Sequence, residues 1–172
     1  ERWQPVLAAA AERHGVDPTL LAIVTLVESL GDPSAHSPAG AVGLMQVMPT
    51  TAASIAAERA LDDYSEERLW DPDYNVDFGA WYLSRQLAEF GPEGISDRSV
   101  SLAAIAYNGG PGLARASGQG AAALPDDVRR YRDLVVGMWR ERALAESPTF
   151  AAWKERLRQL MAAPESWQTL EP

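Results

Sequence analysis

Between Asp17 and Gly31 the chain carries Leu20, Leu21, Ile23, Val24, Leu26 and Val27. A helix over this stretch has hardly any polar face, so it can fold only with other elements packed nearly all round it. Asp17-Pro18 supplies an N-cap and a first-turn proline, and Gly31 a stop, which predicts a helix from Pro18 through about Leu30. The walls around it read as further helices. They are predicted at 3–14, stopped by Gly15, and at 49–60, 73–90, 99–107, 125–145 and 148–163. No stretch alternates apolar and polar residues long enough for a sheet, and no internal repeat is present, so the class is all-α. Residues 32–47 hold Pro33, Pro38, Gly40 and Gly43 among small residues and read as a long ordered loop of the kind that often carries function. Residues 114–124, dominated by Ala, Ser and Gly, are the best candidate for a mobile loop.

A chain of 172 residues, 47% hydrophobic and 23% charged, suits one compact domain. That domain is read as 1–163, with 164–172 as a C-terminal tail. A net charge of −9 argues against nucleic acid as a partner, because phosphate binding needs clustered Lys and Arg. The late basic residues, such as Arg129, Arg130, Arg140 and Arg142, are interleaved with Asp and Glu and read as solvated helix faces. With no cysteine and only His14 and His36, thiolate catalysis and disulfides are excluded and no metal site or cofactor is implied. No apolar run approaches the ~20 residues of a spanning helix. The start, Glu1-Arg2-Trp3-Gln4-Pro5, has no leader pattern. A leader already removed would leave the same start, so this places the chain in no compartment.

Chemistry enters at Glu28, at the end of the apolar helix. A carboxylate against an apolar wall loses hydration when ionised, which raises its pKa toward that of a general acid. Taken alone, the helix is better explained by a surface glutamate at its end. Three further segments shift the balance. Glu28-Ser29 is followed by Ser37-Pro38, Gly40-Ala41 and Gly43-Leu44-Met45-Gln46-Val47-Met48-Pro49, then by Asn75, Gly79 and Tyr82-Leu83, then by Ala106-Tyr107-Asn108-Gly109-Gly110-Pro111-Gly112.

In this order the set resembles the soluble lytic transglycosylase family, whose fold is similar to goose-type lysozyme. The resemblance covers 20–112 continuously and extends more weakly to 131. It implies an all-α, lysozyme-like catalytic domain with Glu28 as the catalytic residue. It further implies that Gln46 and Met48 line the sugar cleft and that Tyr107 and Asn108 face the glutamate. Each position also has a plainer reading. The Gly43 to Met48 segment could be a buried turn, although a buried glutamine there needs a polar partner. Tyr107 and Asn108 could mark an ordinary helix stop. Ser29 either only ends its helix or bonds the substrate or the glutamate. Asn75 and Gly79 look structural.

Two positions depart from the family pattern. Gly31 stands where a large residue is usual, so a wall or core contact must come from elsewhere. Asp127-Val128 replaces a Glu-Thr pair before Tyr131.

The resemblance implies cleavage of the β-1,4 bond between N-acetylmuramic acid and N-acetylglucosamine in peptidoglycan, forming a 1,6-anhydro ring without consuming water. Ordinary glycosidases need two carboxylates, and the matched motifs supply one. If Asp32 faced the cleft, a lysozyme-type hydrolase would be the runner-up, although Asp32 beside Pro33 suits a turn better. A non-catalytic glycan-binding module is a third reading, which the intact Glu28 opposes. A peptidoglycan substrate implies a periplasmic or extracellular location.

Overall fold

The computed structural model describes residues 2–162; the tail expected at 164–172 lies outside them. The described residues form eight α-helices and a 3-10 helix. In chain order these are α1 (Gln4–His14), α2 (Pro18–Ser29), α3 (Pro49–Glu58), the 3-10 helix (Glu66–Trp70), α4 (Pro72–Phe90), α5 (Asp97–Gly109), α6 (Pro111–Gly118), α7 (Asp126–Arg140) and α8 (Pro148–Ala162). Between α2 and α3 the loop makes two isolated antiparallel bridges, His36 with Val42 and Val42 with Val47. No described helix is long and apolar enough to cross a membrane.

The apolar helix α2 is enclosed as its sequence requires. Asp17 caps it by accepting from the backbone N–H groups of Thr19 and Leu20 at 2.8 and 3.2 Å. Leu20, Leu21, Ile23 and Val24 are buried, with α1 and α7 packed against the helix. It ends at Ser29, one residue earlier than expected, because Leu30 itself turns left-handed (φ 55°) ahead of Gly31. The large group missing at Gly31 arrives from α1's leading edge. Trp3 donates its indole N–H to the Gly31 carbonyl at 2.8 Å, and its ring lies 3.7 Å from where a Gly31 Cβ would stand.

Several boundaries differ from the sequence-based expectation, each for a local reason. The segment predicted to be a mobile loop contains most of α6, which starts on Pro111 and buries Ala114 completely against Ile105, Ala106 and Val128. Its small residues serve close packing there; only the stretch after α6 lacks helix. Helix α5 starts at Asp97 because Ser96 and Ser99 cap each other, side chain to backbone, at 3.1 and 2.8 Å. Helix α7 stops at Arg140, short of the expected 145, and the Glu141 carboxylate then accepts from the Thr149 N–H at 2.9 Å and the Ser147 hydroxyl at 2.5 Å to start α8. The 3-10 helix lies between the helices expected at 49–60 and 73–90, where no element was predicted.

A charged cluster ties the first helix to the body. Asp77 of α4 accepts from Arg13 at 2.5 Å, from Arg59 at 2.7 Å, and meets the His14 ring at 2.7 Å. Its partial burial favours the neutral acid, but the bonds from His14, Arg13 and Arg59 outweigh that and hold its carboxyl well below the usual carboxylate range. The folded-state value is lowered, so this stabilisation is fully present above the unfolded pKa near ~3.9 and is lost as pH falls toward the folded value. Asp77→Asn is expected to lower stability by roughly 2–3 kcal/mol at neutral pH, less than for breaking a fully buried pair because the Arg13 and Arg59 side chains stay partly in water. The gap from the parent should narrow below about pH 4. Urea unfolding at both pH values checks this; an equal gap at both would show that the charge is not what stabilises.

Candidate active site

Three side chains from three helices hold the backbone of the 41–47 loop in place. From α2, the buried Ser29 hydroxyl donates to the Leu44 carbonyl at 2.8 Å. From α4, Asn75 is fully buried; its side-chain oxygen accepts from the Met45 N–H at 2.8 Å, and its amide donates to the carbonyls of Val42 (2.8 Å) and Leu69 (2.9 Å). From α5, the Tyr107 hydroxyl donates to the Met45 carbonyl at 2.9 Å. Two glycines permit this closeness. A Cβ on Gly43 would fall 2.3 Å from the Asn75 amide nitrogen at a φ of +77°, and one on Gly79 would fall 2.5 Å from the Met45 sulfur.

Glu28 sits beside this loop with two phenols for neighbours. Part of its surface stays open to solvent, as contact with a substrate requires, while the protein packed around its carboxyl raises the pKa to about 7. Loss of hydration is the dominant cause; the Tyr131 hydroxyl opposes it by favouring the charged form. The Tyr131 hydroxyl approaches the carboxyl without reaching well-formed hydrogen-bond geometry, and it has no other partner among the described residues. Tyr107 stacks at an angle on Tyr82, ring centroids 5.4 Å apart. Burial first and the nearby Glu28 charge second push the Tyr107 and Tyr131 phenols well above their ordinary range, so both remain donors. The result is a carboxyl half protonated near neutrality, faced by phenol O–H groups and framed by fixed backbone.

Such a carboxyl makes the stability of the protein depend on pH. Glu28 binds its proton more tightly folded than unfolded, so stability falls as pH rises from about 4.5 through about 7 and then levels. Glu28→Gln removes the buried charge. It is expected to be more stable than the parent above pH 8, by at most on the order of 3 kcal/mol, because each tenfold change in proton affinity is worth ~1.4 kcal/mol. The two proteins should match at pH 4. Thermal melts at the two pH values test this, and a variant no more stable at pH 8 would mean that the folded protein does not raise this group.

The other predicted site residues take varied positions. Gln46, in left-handed backbone (φ 47°), donates its amide to the carbonyls of Ala35 and Gly43, both at 3.0 Å. Protein carbonyls therefore supply the polar partner that this glutamine needs. Ser29 accepts from the Gly31 N–H at 3.1 Å in addition to its bond to Leu44, so its hydroxyl is turned into the fold. Met48 is partly exposed at the N-cap of α3, and Asn108 is exposed at the end of α5. Asp32 is exposed, and its carboxylate accepts from the Ser34 N–H at 2.9 Å and hydroxyl at 2.7 Å. Those two bonds hold its carboxyl below the ordinary range, in the turn role its neighbour Pro33 suggested. Asn75 and Gly79 have the structural roles read for them.

Sequence reasoning missed Tyr131 and Tyr82 as members of the site. A signal existed for Tyr131. It lies in the apolar stripe Val128, Tyr131, Val135 and Met138 of α7, all buried, where a phenol O–H needs a partner that the stripe itself cannot give.

Comparison with known proteins bears on the whole arrangement. The family model described as Transglycosylase SLT domain matches residues 5–128. The endo-type membrane-bound lytic murein transglycosylase A of Klebsiella pneumoniae is 37% identical over 116 residues, 64% of this chain and 56% of that protein. The membrane-bound lytic murein transglycosylase C of Actinobacillus pleuropneumoniae is 36% identical over 115 residues, 64% of this chain and 31% of that one. The chain thus spans little more than half of the first relative and less of the second. Among solved structures, an inactive glutamate-to-glutamine mutant of the lytic transglycosylase Slt from Pseudomonas aeruginosa superposes with a TM-score of 0.67 at 27% identity, over 84% of this chain and 25% of that one. The 70 kDa soluble lytic transglycosylase of Escherichia coli gives 0.64 at 25% identity, over 93% and 24%. The fold is the all-α, lysozyme-like fold of these enzymes.

Proposed function

Because this chain belongs to the transglycosylase SLT family, we propose that it is a peptidoglycan lytic transglycosylase in which Glu28 acts first as acid and then as base. The observation that carries this reading is one carboxyl, raised to about 7 and faced by two phenols, beside a loop held rigid from three helices. The inactive glutamate-to-glutamine form of the Pseudomonas enzyme supports it.

A carboxyl of that pKa is substantially protonated at neutral pH and can give its proton to the glycosidic oxygen as the bond to the muramyl C1 breaks. The carboxylate left behind takes the proton of the muramyl C6 hydroxyl, whose oxygen closes on C1. One C–O bond breaks and one forms, the proton passes from O6 to the leaving oxygen through Glu28, and no water is consumed. Tyr131, whose hydroxyl has no other partner among the described residues, steadies the carboxylate between the two transfers, while Tyr107 holds the neighbouring loop through the Met45 carbonyl. Gln46, Met48, Tyr107 and Asn108 are proposed to border the glycan, with Ser29 acting on it through the loop it holds. The proposed catalytic unit spans 1–163.

Asp32, bonded locally to Ser34 at the surface, gives no support to a two-carboxylate hydrolase. A peptidoglycan substrate places the protein in the cell envelope, in the periplasm or outside the cell. Mass spectrometry of purified peptidoglycan digested by the protein tests the reading. Anhydro-ended muropeptides support it. Reducing ends heavier by one water would make the protein a hydrolase, and no product would leave a glycan-binding module.

A further inference from the structure

Helix α2 is apolar nearly all round, yet one of its faces is uncovered among the described residues. Thr19, Ala22 and Leu30 stand exposed along it, with Leu26 half-buried between them. An apolar stripe of that kind ordinarily packs against another element. Here it forms the floor of a trough. A hollow of about 860 Å³ lies toward α1, against Trp3, Gln4, Leu7 and Ala8. A second of about 570 Å³ lies toward α8, against Phe150, Leu157 and Met161. Leu26 and Leu30 line both hollows, so the two run together over α2.

The apolar surface in this trough is large. Leu30 is 56% exposed and Met161 86%, and α8, the far wall, buries none of its residues. The charge of the rim is one-sided. Arg2, Lys154 and Arg158 line the trough and, among the described residues, no carboxylate does, in a chain of net charge −9. Of these three, only Arg158 is paired among the described residues, with Glu155.

A trough walled by two helices and floored by a third has the form that takes a fourth, since helices pack at axis separations of ~8–10 Å. The basic rim sets the sign of the occupant's edges. A second copy of this chain would bring the same basic rim against it, and a flat lipid surface cannot reach a floor set between two helices. We propose that the trough seats an amphipathic helix of a partner protein, its apolar stripe on Leu26 and Leu30 and its acidic edges along Arg2, Lys154 and Arg158. Leu26 and Glu28 lie about 200° apart around α2, so the trough and the catalytic carboxyl face opposite sides of that helix.

The test titrates the protein with two labelled synthetic peptides by fluorescence anisotropy. Both carry leucines at helix spacing; one is edged with glutamate and the other with lysine. The glutamate-edged peptide is expected to bind at least about tenfold tighter, and its affinity should fall as salt is added. Leu30→Asp, which puts a charge on the floor, and Lys154→Glu, which reverses the rim, should each weaken that peptide by about tenfold or more. Both positions are exposed, so the variants should melt like the parent. Equal affinity for the two peptides, or parent-like binding by Leu30→Asp, overturns the proposal. So does a dimer in sedimentation velocity that Leu30→Asp dissolves, which would give the trough to a second copy. Flotation with phosphatidylglycerol vesicles that Leu30→Asp abolishes would give it to a lipid surface and overturn the proposal equally.

Discussion

Glu28→Gln is expected to lower peptidoglycan turnover by about 10³–10⁴-fold, the upper part of the range for losing one general acid–base group, because the same carboxyl serves twice in each turnover. Glutamine preserves the shape and can neither give the first proton nor take the second. The parent enzyme should keep its rate below neutrality and fade above it, since the carboxyl must be protonated to begin, the raised value lies at about 7, and the base is formed by the first transfer itself. Asp32→Asn is the control. Its carboxylate is committed to Ser34, so that variant should work at close to the parent rate. Release of soluble muropeptides over time measures both. A Glu28→Gln protein within tenfold of the parent would remove this residue from the chemistry, and a similarly large loss in Asp32→Asn would bring a second carboxylate into it.

The largest structural effect is expected at Asn75. Asn75→Ala leaves the Met45 N–H and the Leu69 carbonyl without partners in a buried site, takes one of two donors from the Val42 carbonyl, which keeps the Val47 N–H at 3.0 Å, and opens a small void. Each orphaned group costs roughly 1–3 kcal/mol, so a total loss of about 3–5 kcal/mol is expected, a large part of the stability of a domain this size. Urea unfolding measures it. Asn75→Asp should be no milder, because one of its oxygens would face the carbonyls of Val42 and Leu69 in a fully buried place. Turnover per folded molecule should fall in both variants, since the loop beside Glu28 loses a mooring even where the protein remains folded. A loss below 1 kcal/mol would show that the loop supports itself.

Much of this was legible in the chain. The apolar stripe of α2, with Asp17-Pro18 before it and Gly31 after it, defines a buried helix, and Glu28 at its end is where a carboxyl would lose hydration. The helix spacing of Gly79 suits close packing, which its distance to Met45 bears out, whereas the need for a glycine at 43 shows only once Asn75 is packed against it. Other features depend on contacts between distant residues and leave no local trace. Ala114 reads as loop among its glycine and serine neighbours and becomes helix only because Ile105, Ala106 and Val128 are there to cover it. Trp3 stands in for a bulky residue at Gly31 from 28 positions away. Gln46 reads as a side chain in want of a ligand, and the carbonyls of Ala35 and Gly43 satisfy its amide nitrogen through a backbone twist that its own residue type does not announce.

Glu28 and Tyr131 come from helices that meet only in the finished fold, and the walls that dehydrate the carboxyl are those same helices. Before α7 closes on α2, this residue is an ordinary glutamate, ionised at neutral pH and unable to donate. The chain therefore carries no working acid while it is being made or moved in an unfolded form. The affinity of one side chain for its proton reports whether the protein has been assembled.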